Sequence, residues 1–438
     1  MELIDGSRHA EVIVITELID VSRPATSRKN WRRLQRNSPR LTNLKISLPR
    51  RHHRNGPIIA EADIGELGRD IGNSTHILRL ELLGADKYDG GFKEYNIDEA
   101  RRKFQLLCQE MSQNRSIKDL HLSDFYTLGG DMRQFLTPFL ETNIASNSNL
   151  QCISLKNCNI SLEGMDSLVT HLMRRGAPFD ELSLVNCGIN DIDDDFVEAL
   201  VMKFRENPTL TPKKLALASD SIGQNGWGFV ATLLKDPRCT MEVLDLSSNF
   251  KIKTETIIVF ANALAENSIL QELLLRQTFY TTTGLRACSQ CLCNTTSIEA
   301  TYSSNHTLQV VSFNPTSFLL DESSDDSDDD SDNAYFEFNQ NLGWNKNANK
   351  KVVARRKVFQ HHFLHNFKME PFEGMAPELL VRTLNFIDKA SLENGGITNA
   401  DVRNLIISQL IKNNPMVCEI VKPMSIEKGT IRKRRHSL

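Results

Sequence analysis

The chain has 438 residues, 40% hydrophobic and 24% charged, with a formal net charge of −3. No apolar run reaches the ~18 residues that a membrane helix needs, so a membrane partner is not expected. Nine cysteines leave an odd thiol over, and two of them stand at positions that favour small buried groups, so reduced thiols in a cytoplasmic or nuclear protein are the expectation.

Residues 1–74 show little sustained periodicity. Glu2 and Asp5 lie ahead of the short apolar run Val12–Ile15, where a secretory signal would place basic residues. Val12–Ile15 reads as a short strand. From Arg23 to Arg54 the segment turns basic, with Trp31 as its one tryptophan. The expectation is a disordered basic arm, a weak contact for an anionic partner or an import receptor.

From residue 75 a single pattern organises the chain. Leu150, Ile153, Leu155, Cys158 and Ile160 set it out; Phe179, Leu182, Leu184, Cys187 and Ile189 repeat it, and Met241, Leu244, Leu246 and Asn249 give it again. Leu270, Leu273 and Leu275 open a further copy, with Thr278 in the Asn position. Earlier copies start at Ile77 and Ile117, with an insertion expected around Lys87–Tyr95; a late one restarts at Leu308. Between copies lie helical patterns, each preceded by a polar turn such as Ser161 or Asp193–Asp195. First residues recur every 28 to 33 residues across 150–298. This period and its internal pattern mark a leucine-rich repeat, one short strand plus a return segment. The full return helix resembles the ribonuclease-inhibitor type. The fold class that follows is an α/β leucine-rich-repeat solenoid, a horseshoe of the ribonuclease-inhibitor type with a helical C-terminal cap.

Along each strand the residues between the apolar positions face outward on the concave side. The candidate protein-binding residues are therefore Arg79, Glu81, Asp119, His121, Lys156, Glu181, Lys214, Asp245, Glu272 and Arg276. The face is mixed in charge and carries no ladder of aromatics.

Other motifs fail on their chemistry. Cys288, Cys291 and Cys293 have a zinc-like spacing, but the unit aligns them with Phe260, Ala263 and Ala265, and a fourth ligand is missing. Asp191, Asp193 and Asp195 begin like a calcium loop, yet Phe196 and Met202 stand where Gly and Glu are needed. His361, His362 and His365 lack the glutamate of a zinc protease helix. No catalytic residue, metal or cofactor is expected.

Residues 319–334 form an acidic linker, and Ser323, Ser324 and Ser327 have acidic residues just downstream, as acidophilic kinases favour. The block is open to two readings, a tethered regulator of the basic Lys350–Lys357 cluster or a solubilising loop. Residues 335–415 read as a helical cap and 416–438 as a basic disordered tail. The domain sequence is thus arm (1–74), repeat array (75–318), linker (319–334), cap (335–415) and tail (416–438). The function expected is a monomeric, non-catalytic scaffold for a protein partner. The alternatives are a GTPase activator, since the acidic block after the array resembles Ran-type activators, and nucleic-acid binding through the basic arms.

Overall fold

The computed structural model describes residues 16–20, 31–47, 61–84, 97–125, 132, 149–174, 180–187, 193–208, 211–218, 222–250, 252–278, 282–313, 328–346 and 349–364. The chain divides into two compact units. The first comprises residues 1–253, 273–279 and 312–314; the second comprises 254–272, 280–311 and 315–438.

Ten strands run in strict chain order through one sheet: β1 Thr16–Asp20, β2 Asn43–Ser47, β3 Arg79–Leu83, β4 Asp119–Ser123, β5 Cys152–Lys156, β6 Glu181–Val185, β7 Lys214–Ala218, β8 Val243–Asp245, β9 Glu272–Leu275 and β10 Val310–Phe313. The pairs resolved from β1 to β8 are parallel and keep one register, so Leu155 meets Leu184 and Leu184 meets Leu217. A parallel pair needs a crossover between its strands, and helices supply it. In the first unit these are α1 Glu61–Asn73, α2 Ile97–Met111, α3 Leu162–Arg174, α4 Asp194–Glu206 and α5 Gln224–Lys235. The second unit holds α6 Thr254–Glu266, α7 Thr282–Leu292, α8 Ile298–Ser303, α9 Asp328–Asn345 and α10 Lys350–Phe359, which continues as a π turn over Gln360–Leu364.

The apolar columns are the core. Leu155, Leu184, Leu217, Leu246 and Leu275 are all fully buried, as are Leu215, Leu244 and Ile153. Each helix adds its inner stripe; α4 buries Phe196, Val197, Leu200, Val201 and Phe204. Helix starts follow the polar turns in the sequence: the Asp193 side chain accepts from the Phe196 amide at 3.1 Å, and the Ser161 hydroxyl accepts from the Gly164 amide at 3.0 Å. Helix α5 departs from this rule, because Gly223 precedes it and offers no side chain. The neighbouring Asp194 carboxylate accepts the Gly223 amide instead, at 2.6 Å. Helices α1 and α2 meet across glycines: a Cβ on Gly68 would lie 2.7 Å from Glu110 Cβ, and one on Gly72 would lie 2.7 Å from the Glu110 carbonyl. Only a bare backbone allows that approach.

Two sets of small polar residues tie each repeat to the one before. The Cys/Asn position is the first. Asn249 Nδ2 donates to the Leu217 carbonyl at 2.6 Å and to the Leu246 carbonyl at 2.8 Å. Cys187 reaches the Leu155 carbonyl and Cys158 the Leu122 carbonyl. The partner across repeats is therefore the preceding strand. The second set lies just ahead of the strands. Asn114 donates to the Ile71 and Ser74 carbonyls and accepts from the Ser116 and Ile117 amides. Asn305 does the same with Leu264, Asn267, Thr307 and Leu308. These bonds satisfy helix-end carbonyls that would otherwise be buried without donors.

Three expectations are corrected. Residues 1–74 are not one disordered arm: β1, β2 and α1 lie within them, and Leu34, Leu41, Leu44 and Ile46 are buried. Trp31 is tied by its indole N–H to Asp70 at 2.7 Å. Among the described residues Arg32, Arg33, Arg36 and Arg40 are exposed, and these basic residues masked the signal of Leu41, Leu44 and Ile46, which already spell the repeat signature. The expected strand at Val12–Ile15 lies outside the described residues; β1 follows it. The acidic linker also ends early, since α9 begins at Asp328. Lys357, counted in an available basic cluster, is fully buried. The insertion at Lys87–Tyr95, the serines Ser323, Ser324 and Ser327, and residues 365–438 with the remaining cap and tail lie outside the described residues.

Candidate functional site: the exposed strand face

Alternate residues of β3, β4 and β5 point away from the core, as their alternating burial records. The register sets Arg79, Asp119, Cys152, Glu181, Lys214 and Val243 in one row across the sheet. Glu81, His121, Ser154, Ser183, Ala216 and Asp245 form the next row, and Leu83, Ser123, Lys156, Val185 and Ala218 the third.

Within these rows several of the expected charges pair with each other. Glu81 holds Arg79 at 2.9 Å and Lys45 at 3.2 Å. Burial alone would raise the Glu81 pKa, but hydrogen bonds from Lys45 and Arg79 outweigh it and the carboxyl is lowered. Lys214 meets Glu181 at 2.8 Å. Asp245 turns to accept the Ser247 amide at 3.0 Å, and Arg276 donates to the Ser312 hydroxyl at 2.9 Å. Glu272 opens β9. Lys45 was missed by sequence reasoning, which left its strand inside the arm.

The middle of the face is floored by small side chains. Ser183, Ala216 and Ala218 occupy outward positions yet are only 6%, 2% and 6% exposed. Their side chains are too short to rise above the sheet, so the flanking charged residues stand proud of them. His121 sits beside this floor with its Nε2 buried and without a hydrogen-bond partner. Burial lowers its pKa and Arg79 lowers it further, against the raising effect of Glu81, Asp119 and Glu181. The imidazole is neutral at pH 7. Burial, with Asp119 beside it, pushes the Cys152 thiol up to about 12, so it is not a thiolate nucleophile.

Along one edge of the face, residues following the strands take left-handed backbone: Asp124 (φ 65), Asn157 (φ 50), Asn186 (φ 52), Ser248 (φ 63) and Gln277 (φ 58). Asn tolerates this region well. Their side chains chain together, Asn186 donating to Asn157 and Asn157 to Asp124, both at 2.6 Å.

The described parts of the zinc-like and calcium-like motifs take structural positions; Asp191 lies outside the described residues. Cys288, Cys291 and Cys293 are buried, and burial raises all three thiols, Cys291 and Cys293 to about 12. Asp193 is a helix cap. His362 is held by the Thr301 hydroxyl at 2.8 Å. Among the described residues no group of His, Cys, Asp and Glu is placed to hold a metal, and no helix is long and apolar enough to cross a membrane.

No family model and no curated protein matches the chain. Among solved structures, 76 chains match. One is a Bacteroides fragilis protein at 11% identity, covering 60% of this chain and 74% of its own, with a TM-score of 0.34. Another is the TLR13–ssRNA13 complex at 15% identity and a TM-score of 0.32, covering 65% of this chain and 32% of that one. The architecture rests on the chain's own strand register and crossover helices, which make it an α/β solenoid of leucine-rich-repeat character.

Proposed function

We propose that the chain is a non-catalytic interaction scaffold, a ribonuclease-inhibitor-type horseshoe that docks a partner protein on its exposed strand face. It acts in the cytoplasm or nucleus as a monomer, with its C-terminal helices as a cap. One observation carries this: the outward rows form a continuous platform in which a small-residue floor is bordered by charged residues, several of them paired with each other. Such a surface needs no cofactor and offers neither an activated nucleophile nor an acid–base pair. Solenoids present extended faces of this kind for binding, and uncharged centres with polar rims are typical of protein interfaces. The test is quantitative co-purification of partners with the tagged full chain. Asp119→Arg and Glu181→Arg, on the face, should lose the bound set at least tenfold. Glu198→Arg, exposed on α4 away from the face, should retain it. Equal retention by all three variants rejects the reading.

A further inference from the structure

Between β4 and β6 the strand face carries polar groups that its ion pairs leave unused. The register places His121 beside Ser154 and Ser154 beside Ser183; two residues further on, Ser123 lies beside Lys156. The intervening Leu122, Ile153, Leu155, Leu182 and Leu184 are buried, so these five side chains share the outward side. With strands about 4.8 Å apart and alternate residues about 7 Å apart, the patch is the size of one or two incoming side chains. Lys156 is exposed. Among the described residues it enters none of the ion pairs that occupy Lys45, Arg79 and Lys214. The three serine hydroxyls also stand outside the hydrogen bonds of this face, and His121 Nε2 lacks a partner. The carboxylates around the patch are engaged: Glu81 by Lys45 and Arg79, Glu181 by Lys214, Asp119 by the Cys152 thiol, and Asp124, which follows Ser123, by the Asn157 amide group.

We propose that this patch receives a carboxylate from an acidic segment of the partner protein, with Lys156 as counter-ion and Ser123, Ser154 and Ser183 as hydroxyl donors. The inference rests on the reading of the strand face as the docking surface. A single ammonium with neutral donors matches one negative charge. Asp119 and Glu181, in the adjoining row, oppose the denser charge of a nucleic-acid backbone, which is neutralised by clusters of Lys and Arg. His121 adds a signature. Burial and then Arg79 disfavour its protonation while Glu81, Asp119 and Glu181 favour it; a bound carboxylate adds to the groups that favour the imidazolium. Affinity should therefore rise as pH falls from 8 toward 6.5.

Reductive methylation of the full chain, read lysine by lysine by mass spectrometry with and without hexaglutamate, tests this. Lys156 should be slowed at least threefold by the peptide, with Lys203 unchanged. Half-protection should need severalfold less peptide at pH 6.5 than at pH 8. His121→Gln should remove that pH dependence, and Ser154→Ala, a minimal truncation, should weaken protection at both pH values. Protection confined to Lys428 and Lys433 of the tail would overturn the proposal, as would equal protection of Lys156 by an oligouridylate. If the face variants lose their partners while Lys156 stays unprotected, the docking face stands and the carboxylate assignment falls.

Discussion

The repeats around residues 114–250 and the last helices of the second unit solve one problem in different ways. In a solenoid each unit leaves carbonyls for the next unit to satisfy. In the first region the successor does this with small neutral groups: Ser116 Oγ donates to the Ser74 and Ile77 carbonyls, and Asn249 to Leu217. At residues 305–308 the donors come instead from α9 and α10. Asn345 Nδ2 donates to the Asn305 and Leu308 carbonyls, which correspond to the Ser74 and Ile77 carbonyls that Ser116 serves in the repeat before its own. Lys357 Nζ donates to Leu292, the last residue of α7, at 2.6 Å, and to Asn305 at 3.1 Å. A cation at a helix C-terminus is favourable, and among the described residues this one has no carboxylate partner. Asn341 Oδ1, Asn345 Oδ1 and His306 Nδ1 are buried there without hydrogen-bond partners among the described residues, as are His121 Nε2 and Thr211 Oγ1 in the first unit. A repeat meets its neighbour by shared geometry; here helices outside the repeat pattern supply the donors.

This contrast can be broken experimentally. The largest effect belongs to the apolar column that both strand neighbours share: Leu246→Ala should lose about 2–5 kcal/mol of stability in urea unfolding. A variant as stable as the parent would disprove the register. Next comes the neutral ladder. Asn249→Ala strands two buried carbonyls and should cost about 1–3 kcal/mol, whereas Cys187→Ala should cost less, because a thiol is a weak donor. Equal losses would mean that the ladder works by packing alone.

The second unit sharpens the comparison through pH. Burial lowers Lys357 from its ordinary range to about 8, opposed by Cys293 and Cys291. Between pH 8 and about 10.5 the unfolded chain binds the proton that the folded chain has released, so the Lys357 contribution to stability rises with pH there, by at most about 1.4 kcal/mol per pH unit. The buried thiols act the other way, because their raised pKa values make stability fall as pH climbs past the ordinary thiol range. Below pH 8 the cost of burying the charge is borne in full. Burial likewise lowers His306 and His362 to about 4, so stability should fall as pH drops from about 6.5 to 4. Lys357→Met should remove the opposing contribution, so that stability falls more steeply between pH 8 and about 10.5, and leave the acid loss in place. Hydrogen exchange over α7 and α10 reads the second unit directly, and an identical alkaline profile in the variant would overturn the assignment to Lys357.

The sequence by itself determined the strand register from Ile77 to Asp245 and the helices from Leu162 onward, because both follow from local spacing: apolar residues two apart on strands and three or four apart on helices. The helical caps at Ser161 and Asp193 were legible for the same reason. The asparagines at 114, 267 and 305, each followed three residues later by Ile or Leu, were equally present and went unread. Leu41, Leu44 and Ile46 were hidden by Lys45 between them and the basic residues around them, since composition averages over both faces of a strand. Only the tertiary structure decided which outward charges neutralise each other, because Glu181–Lys214 and Lys45–Glu81 pair across strands more than thirty residues apart. It alone decided that Lys357 is a buried helix cap. A lysine in a basic run carries no local sign of burial; the open carbonyls of α7, far away in sequence, put it there.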